Sequence, residues 1–253
     1  MAQYIDNPAG RLHKFLLDLH ATHPNDQQQK QKQAWLAVVE MVGNDLGVAG
    51  EVQIIGAVAT LPRQIREAVS QLAVDDERKE HLLLHLDEVE RGIDHLLGRQ
   101  TLWHTFICFA TNGEVPRSAA ISALSHCSYE LHQAMPETVV SDEDLARIID
   151  MVNGLINEVH GAKLPEAVKR AMLNHLMALL QAAHNVRIAG TQPLDDALFA
   201  LTGSLGRTTS PEELERAGLW ERLKSALQTF DLMLSTSQSA GQIGQAIAGI
   251  LTG

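Results

Sequence analysis

The sequence predicts an all-α protein, a multi-helix bundle or stacked helical layers of about nine to eleven helices. Apolar residues recur at three- and four-residue spacing along most of the 253 residues, which is the period of a helix face. Helix start signals stand before these apolar runs. No stretch bounded by turn residues alternates apolar and polar residues, as a half-buried strand would.

Start and stop signals define the first helices. Asn7 and Pro8 form a cap and a first-turn proline. A second helix follows and should end at the glycines of 43–50. Its expected apolar face consists of Trp35, Val38, Val39 and Val42. A third helical region, 51–72, should be interrupted before Pro62, because proline lacks the backbone donor and restricts the preceding residue.

The middle of the chain has the clearest amphipathic pattern. We expect one helix over 75–97, with Leu82, Leu83, Leu86, Val89, Ile93, Leu96 and Leu97 facing inward. Its other face is acidic, and we interpret it as a solvated helix face or as a contact surface formed by Asp87, Glu88 and Glu90. The segment 101–110 is apolar nearly all round and should be buried.

Each helix of the second half has its own start signal. These signals are Pro116, the capping box of Ser141 and Asp144, Leu164 with Pro165, Thr191, and Ser210 with Pro211 and Glu213. The helix after Pro116 should bury Ile121, Leu124 and Leu131. The helix after Thr191 should be short and end near Leu201, whereas the last helix should run to Leu234.

We expect two helical halves, 1–113 and 114–234, which could form one continuous domain, followed by a small-residue apolar tail, 235–253. A shift of 90 residues lays 65–96 over 155–186 and matches five residues in each: Val69 with Val159, Lys79 with Lys169, Leu83 with Leu173, His85 with His175, and Leu86 with Leu176. Such a match indicates either a weak duplication or the coincidence of two amphipathic helix pairs.

Charge and cysteine content exclude several classes of function. Twenty basic residues against 31 acidic ones give a net charge of −11, which repels nucleic acid and anionic lipid. We therefore predict no nucleic-acid partner. Two cysteines exclude a disulfide scaffold and suit a reducing compartment. Because the start of the chain shows no secretory signal, we expect a cytoplasmic protein.

Histidine and cysteine are the candidate metal ligands. His104 and Cys108 share a helical face, and His126 is adjacent to Cys127, which together would offer two nitrogens and two sulfurs to zinc. Adjacent helical residues diverge by about 100°, so His126 and Cys127 do not readily face one ion. We therefore predict no metal and no cofactor. The twelve histidines indicate scattered surface residues or, alternatively, a response to acidic pH.

Known catalytic motifs fail at the level of spacing. His81 and His85 share one helix side, but the glutamate of a zinc protease is missing after the first histidine. Gly203 to Gly206 lacks the order of a nucleophile elbow. No catalytic residue is predicted. A metal-dependent enzyme with a His/Cys site is the least favoured alternative, and it requires a cavity in which His81, His85 or His104 meets a carboxylate or a thiol.

The segment 240–253 carries no charged side chain. As a helix it would align Ile243, Ile247, Ile250 and Leu251 on one side, with Gly244 among small residues on another. A glycine inside a helix costs about 1 kcal/mol, so this segment must dock on its own bundle, on other copies or on a membrane. Its fourteen residues are fewer than the roughly 20 that span a bilayer, so only an oligomer could insert.

The function predicted from these features is protein–protein association without catalysis, with the chain binding other copies of itself as a homo-oligomer or binding another protein. The contact residues would be those of the uncharged segment. The alternative is a membrane-active helical effector, pore-forming or membrane-disrupting, that uses the same segment.

Overall fold

The computed structural model describes residues 4–42, 47–98, 100–111, 114–208 and 211–234. About 80% of these described residues are helical and none lies in a strand, which confirms the all-α prediction. The α-helices are α1 (Pro8–Thr22), α2 (Asp26–Gln31), α3 (Ala34–Val42), α4 (Gly47–Gln71), α5 (Asp76–Leu82), α6 (Leu86–Leu97), α7 (Leu102–Ile107), α8 (Ala119–Ala134), α9 (Asp142–Gly161), α10 (Glu166–Ala189), α11 (Gln192–Thr208), α12 (Pro211–Arg216) and α13 (Trp220–Leu234), with a 3-10 turn at Val115–Arg117.

The chain divides into two compact units. The first comprises Met1–Glu137 with Arg187–Gly190, and the second comprises Thr138–Val186 with Thr191–Gly253. Each unit has its own cluster of buried apolar side chains. The division lies after Glu137 and not near residue 113, because α8 contributes its apolar face, with Ile121, Leu124 and Leu131, to the first core.

The start of α1 is fixed against α8 in the first unit. Asn7 caps α1 as predicted, since its side-chain oxygen accepts a hydrogen bond from the Gly10 backbone at 2.9 Å. The Asn7 amide also donates to the Ser128 carbonyl at 3.0 Å. A Cβ at Gly10 would lie 1.5 Å from the Tyr4 carbonyl oxygen. Only glycine therefore permits this approach.

A buried arginine joins the segment 187–190 to the first unit. The Arg11 guanidinium pairs with the Glu137 carboxylate at 2.5 Å and donates to the Ile188 carbonyl at 3.0 Å. Gly190 has a positive φ of 81°, and a Cβ there would lie 3.0 Å from the Arg11 guanidinium. A cation that binds the last carbonyls of a helix satisfies groups that the helix itself leaves unpaired.

The prediction of a single second helix is wrong, because the chain forms two helices there, α2 and α3. The backbone between α2 and α3 bonds to the segment before α7: the Leu102 amide donates to the Lys32 carbonyl and the Ala34 amide to the Gln100 carbonyl, both at 2.9 Å. Trp35 is 36% exposed, not buried. The buried face of α3 consists of Ala34, Ala37 and Val38.

Pro62 does not interrupt a helix, contrary to the prediction. It lies inside the continuous α4. Gly47 and Gly50, two of the glycines expected to end the second helix, lie in the first turn of α4. Val58, Leu61 and Ile65 are buried on both sides of the proline. Burial of this face stabilises a helix that propensity alone would break.

The expected single helix over 75–97 is also wrong. It is divided into α5 and α6 by His85, whose φ of 69° is left-handed. The predicted inward residues are largely right, since Leu82, Leu86, Val89, Ile93 and Leu96 are buried and Leu83 is half-buried, while the side chain of Leu97 lies outside the described set.

In the segment 101–110, Leu102, Phe106, Phe109 and Ala110 are buried as predicted. Ile107 is 45% exposed, which corrects the expectation that this segment is buried all round.

The second unit follows its start signals closely. The Ser141 hydroxyl accepts from the Asp144 amide at 3.0 Å, which confirms the predicted cap. The helix expected to end near Leu201 extends to Thr208. The expected last helix is divided into α12 and α13 at Gly218, where hydrogen bonds from Gly218 to Glu215 and from Leu219 to Leu214 close a Schellman motif.

The two segments related by the 90-residue shift have nearly the same burial pattern. Every buried position in 65–96 except Leu72 is matched by a buried position in 155–186. Two lysines at matched positions make the same contact: Lys79 donates to the Ser70 carbonyl at 3.1 Å, and Lys169 to the His160 carbonyl at 3.0 Å. This agreement supports a repeated helix pair.

Candidate functional site

A cavity of about 430 Å³ lies in the first unit at the start of α6. Cavities of roughly 300–1,000 Å³ suit small molecules. The walls come from α6, from the residues that follow α7 and from the 3-10 turn. We name this site the charged cavity. Its lining side chains with an ionisable group are His85, Glu88, Arg91, Cys108, Glu114 and Arg117.

His85 lines the charged cavity in a strained backbone conformation. A left-handed residue other than glycine costs roughly 1–2 kcal/mol, and such strain is concentrated at functional sites. The His85 carbonyl accepts from the first amides of α6, at Glu88 and Val89. Its ring nitrogen Nδ1 lies 3.0 Å from the Glu88 carboxylate. The sequence signal for a break was the run from Leu82 to Leu84, because three successive leucines cannot all face inward on one helix. In the structure, Leu84 is 52% exposed.

A close contact between α6 and α7 positions part of the cavity wall. A Cβ on Gly92 of α6 would lie 2.7 Å from the Thr105 carbonyl oxygen and 2.9 Å from the Phe109 ring. Glycine lets the backbone of α6 approach α7 closely. This approach brings Arg91 and Cys108 to the same cavity.

The charged cavity holds two guanidinium groups and two carboxylates. Arg91 donates from Nε to the Asp87 carbonyl at 3.4 Å, and no ion pair to Arg91 occurs among the described residues. Arg117 and Glu114 are 3.9 Å apart and largely exposed. The Glu88 carboxylate contacts His85. These charges therefore compensate one another only in part and are able to bind charged groups of a ligand.

Cys108 is not poised as a nucleophile, although it meets His85 and Glu88 in one cavity. Burial raises the pKa of the Cys108 thiol, and its sulfur donates to the His104 carbonyl at 3.2 Å. Nucleophilic catalysis by cysteine requires a thiolate. The residue types expected of an enzyme thus line one cavity, but the raised pKa of Cys108 disfavours its thiolate.

The predicted acidic surface is not a row of free carboxylates. Arg66 of α4 donates to Asp87 at 2.7 Å and to Glu90 at 2.5 Å. These hydrogen bonds, the one to Glu90 first, raise the pKa of Arg66. Glu88 belongs to the charged cavity instead. Asp87 and Glu90 therefore share one partner, Arg66, whereas Glu88 contacts His85.

The four candidate metal ligands do not come together. The ring of His104 lies against His95 at a centroid distance of 6.4 Å, and that of His126 against His81 at 6.3 Å. Cys127 is buried in the first core, and burial raises its pKa to about 12. Within the described ranges, no group of three or more His, Cys, Asp or Glu side chains could hold a metal ion.

A wider groove of about 720 Å³ lies in the same unit and is lined by uncharged residues of α1 and α8 together with Tyr4 and Pro116. Its polar lining includes His13, Ser122, His126 and Tyr129. Burial lowers the pKa of His13. We name it the uncharged groove, because none of these lining residues is Asp, Glu, Lys or Arg.

The predicted contact residues of the uncharged segment, Ile243, Gly244, Ile247, Ile250 and Leu251, lie outside the described residues. Among the helices that are described, none has both the length and the apolar character needed to cross a membrane. Comparisons with protein-family models, with curated proteins and with solved structures found no match for this chain.

Proposed function

We propose that this protein acts by association with other copies of itself through the uncharged segment 240–253. The observation that carries this proposal is the distribution of charge. All 20 basic and 31 acidic side chains precede residue 232, and none lies in the segment. A surface of net charge −11 keeps proteins apart unless an uncharged apolar element overcomes the repulsion.

The packing of the described helices supports this proposal. Each unit fills its core with its own side chains, and α13 contributes Leu223, Leu227 and Phe230 to the second core. A glycine-rich segment gains little from forming a helix alone, so burial of its isoleucines must supply the stability. A second copy of the same segment offers matching small residues that allow close approach. The low cysteine content, two residues in the chain, is compatible with association in a reducing compartment such as the cytoplasm.

Molecular mass tests the proposal directly. The full chain and a chain ended after Ser239 are compared by size-exclusion chromatography with light scattering, and helical content is followed by circular dichroism. We expect an oligomer for the full chain and a monomer of nearly unchanged helicity for the shortened one. Equal masses for the two chains would contradict the proposal.

A matched pair of single substitutions distinguishes a defined contact surface from non-specific hydrophobic association. In a helix, Ile247 lies on the apolar side with Ile243 and Ile250, whereas Gln245 lies on the opposite side. Ile247→Asp should weaken self-association at least about tenfold, since a buried charge costs several kcal/mol. Gln245→Asp adds the same charge and should leave the mass unchanged. If both variants behave alike, the segment is not a defined contact surface.

Vesicles test the membrane-active alternative. Both chains are added to lipid vesicles loaded with a fluorescent dye. The proposal predicts no dye release by either chain. Release by the full chain alone, together with a monomeric mass in solution, would replace self-association with membrane activity as the function of this segment.

A further inference from the structure

We propose that the charged cavity binds a small zwitterion, a molecule with one amine, one carboxylate and one apolar side chain, as in a free amino acid. This inference is independent of the proposed self-association, because it rests on described residues of the first unit.

The charge of the cavity lining selects a ligand that carries both signs. Arg91 and Arg117 supply two cations, and Glu88 and Glu114 supply two anions. A ligand with a single charge is attracted by one of these pairs and repelled by the other. A zwitterion places its carboxylate at the arginines and its amine at the glutamates, so each ligand charge gains a charge-assisted hydrogen bond.

Apolar residues complete the lining. Ile107, Phe109 and Ala110 form one side of the cavity, and Ile107 is 45% exposed. A large apolar side chain at this exposure gains stability when a ligand covers it. The cavity therefore combines charges that orient a ligand with a surface for its side chain.

The matched segment of the second unit lacks the charges of Glu88 and Arg91. At the positions matched by the 90-residue shift, Glu88 is replaced by Ala178 and Arg91 by Gln181. The helix there is continuous, so no cavity-lining break corresponds to His85. Of the matched histidines His85 and His175, only His85 has a strained backbone, and Glu88 and Arg91 lie in the same segment as His85. This coincidence is expected of a site that maintains strain for binding.

Three probes that share a phenyl ring test the proposal by isothermal titration calorimetry on the full chain. L-phenylalanine carries both charges, 3-phenylpropionate lacks the amine and 2-phenylethylamine lacks the carboxylate. We expect L-phenylalanine to bind at least about tenfold more tightly than either analogue, since each lost charge removes a charge-assisted hydrogen bond. Equal affinities for all three, or no binding of L-phenylalanine at 10 mM, would overturn the proposal.

Two substitutions assign the ends of the ligand. Arg91→Gln should weaken L-phenylalanine and 3-phenylpropionate and leave 2-phenylethylamine unchanged, whereas Glu114→Gln should weaken L-phenylalanine and 2-phenylethylamine only. Arg63→Gln is the control, because Arg63 is an exposed arginine of α4 that pairs with Glu67 outside the cavity. If Arg91→Gln and Glu114→Gln changed the affinities for the probes no more than the control Arg63→Gln does, the probes would bind elsewhere, for example in the uncharged groove. This result would overturn the assignment.

Discussion

The two matched helix pairs bury nearly the same positions but differ in backbone conformation at one matched residue. In the first unit, His85 takes a left-handed conformation and divides α5 from α6. In the second unit, His175 lies inside the continuous α10. Both segments have the same apolar period and a histidine at the matched position. The apolar period and the matched histidine therefore do not by themselves determine whether this helix breaks.

The packing partners explain the difference. In the first unit, α5 contacts α8 through the ion pair of Arg78 and Glu130 at 2.7 Å, while α6 lies close to α7 at Gly92. The chain satisfies both contacts by changing direction at His85. In the second unit, Ala182 occupies the position of Gly92. Tertiary contacts thus outweigh the helical preference of one residue.

Replacement of matched core leucines by alanine should have the largest effect on the free energy of unfolding. Leu86 and Leu176 are both buried, and replacing each by alanine should cost about 3 kcal/mol of unfolding free energy. Each loss should be confined to the unit that carries it. Labelling of the Cys127 thiol reports the first unit, because its pKa of about 12 and its burial prevent reaction until that unit opens.

Trp220 fluorescence reports the second unit once Trp35 and Trp103 are replaced by phenylalanine, since these are the three tryptophans of the chain. Leu86→Ala should accelerate Cys127 labelling and leave the Trp220 transition unchanged. Leu176→Ala should do the reverse. If Leu176→Ala accelerated Cys127 labelling as much as Leu86→Ala, the two units would not have separate cores.

The Gly92 contact should produce an intermediate effect. Gly92→Ala places a methyl group against the Thr105 carbonyl and the Phe109 ring and should cost about 2 kcal/mol by overpacking. The control is Gly154→Ala on α9, where a Cβ would meet nothing within 4 Å, and which should stabilise by about 0.5–1 kcal/mol. Urea denaturation measures both. Stabilisation by Gly92→Ala would show that α6 and α7 are not in close contact.

The sequence predicted the inward faces and the capped helix starts well, because these depend on local spacing. Ile93 was assigned to the core by period alone, and the caps at Asn7 and Ser141 were found from residue type. The sequence failed wherever distant contacts decide. Pro62 indicated a break that burial prevents, and His85 carried no glycine or proline signal for a break that packing imposes.

The charged cavity could be predicted only in parts. Glu88 was assigned to an acidic surface, Cys108 to a metal set and His85 to an enzyme alternative, yet all three line one cavity. Arg91 and Arg117 were missed because they line one cavity only when α6 and the 3-10 turn approach each other, although the two arginines lie far apart in sequence. The small residue at Gly92 was the available signal for a close helix approach.

Glycine substitution at the two matched histidines tests most directly whether packing breaks one helix and not the other. Glycine adopts the left-handed conformation freely, so His85→Gly should raise the free energy of unfolding by about 1 kcal/mol. His175→Gly places glycine inside a continuous helix and should lower it by about 1 kcal/mol. We predict opposite signs in urea denaturation of the two variants. Destabilisation of similar size by both would contradict the account, because it would mean that residue 85 is as helical as residue 175.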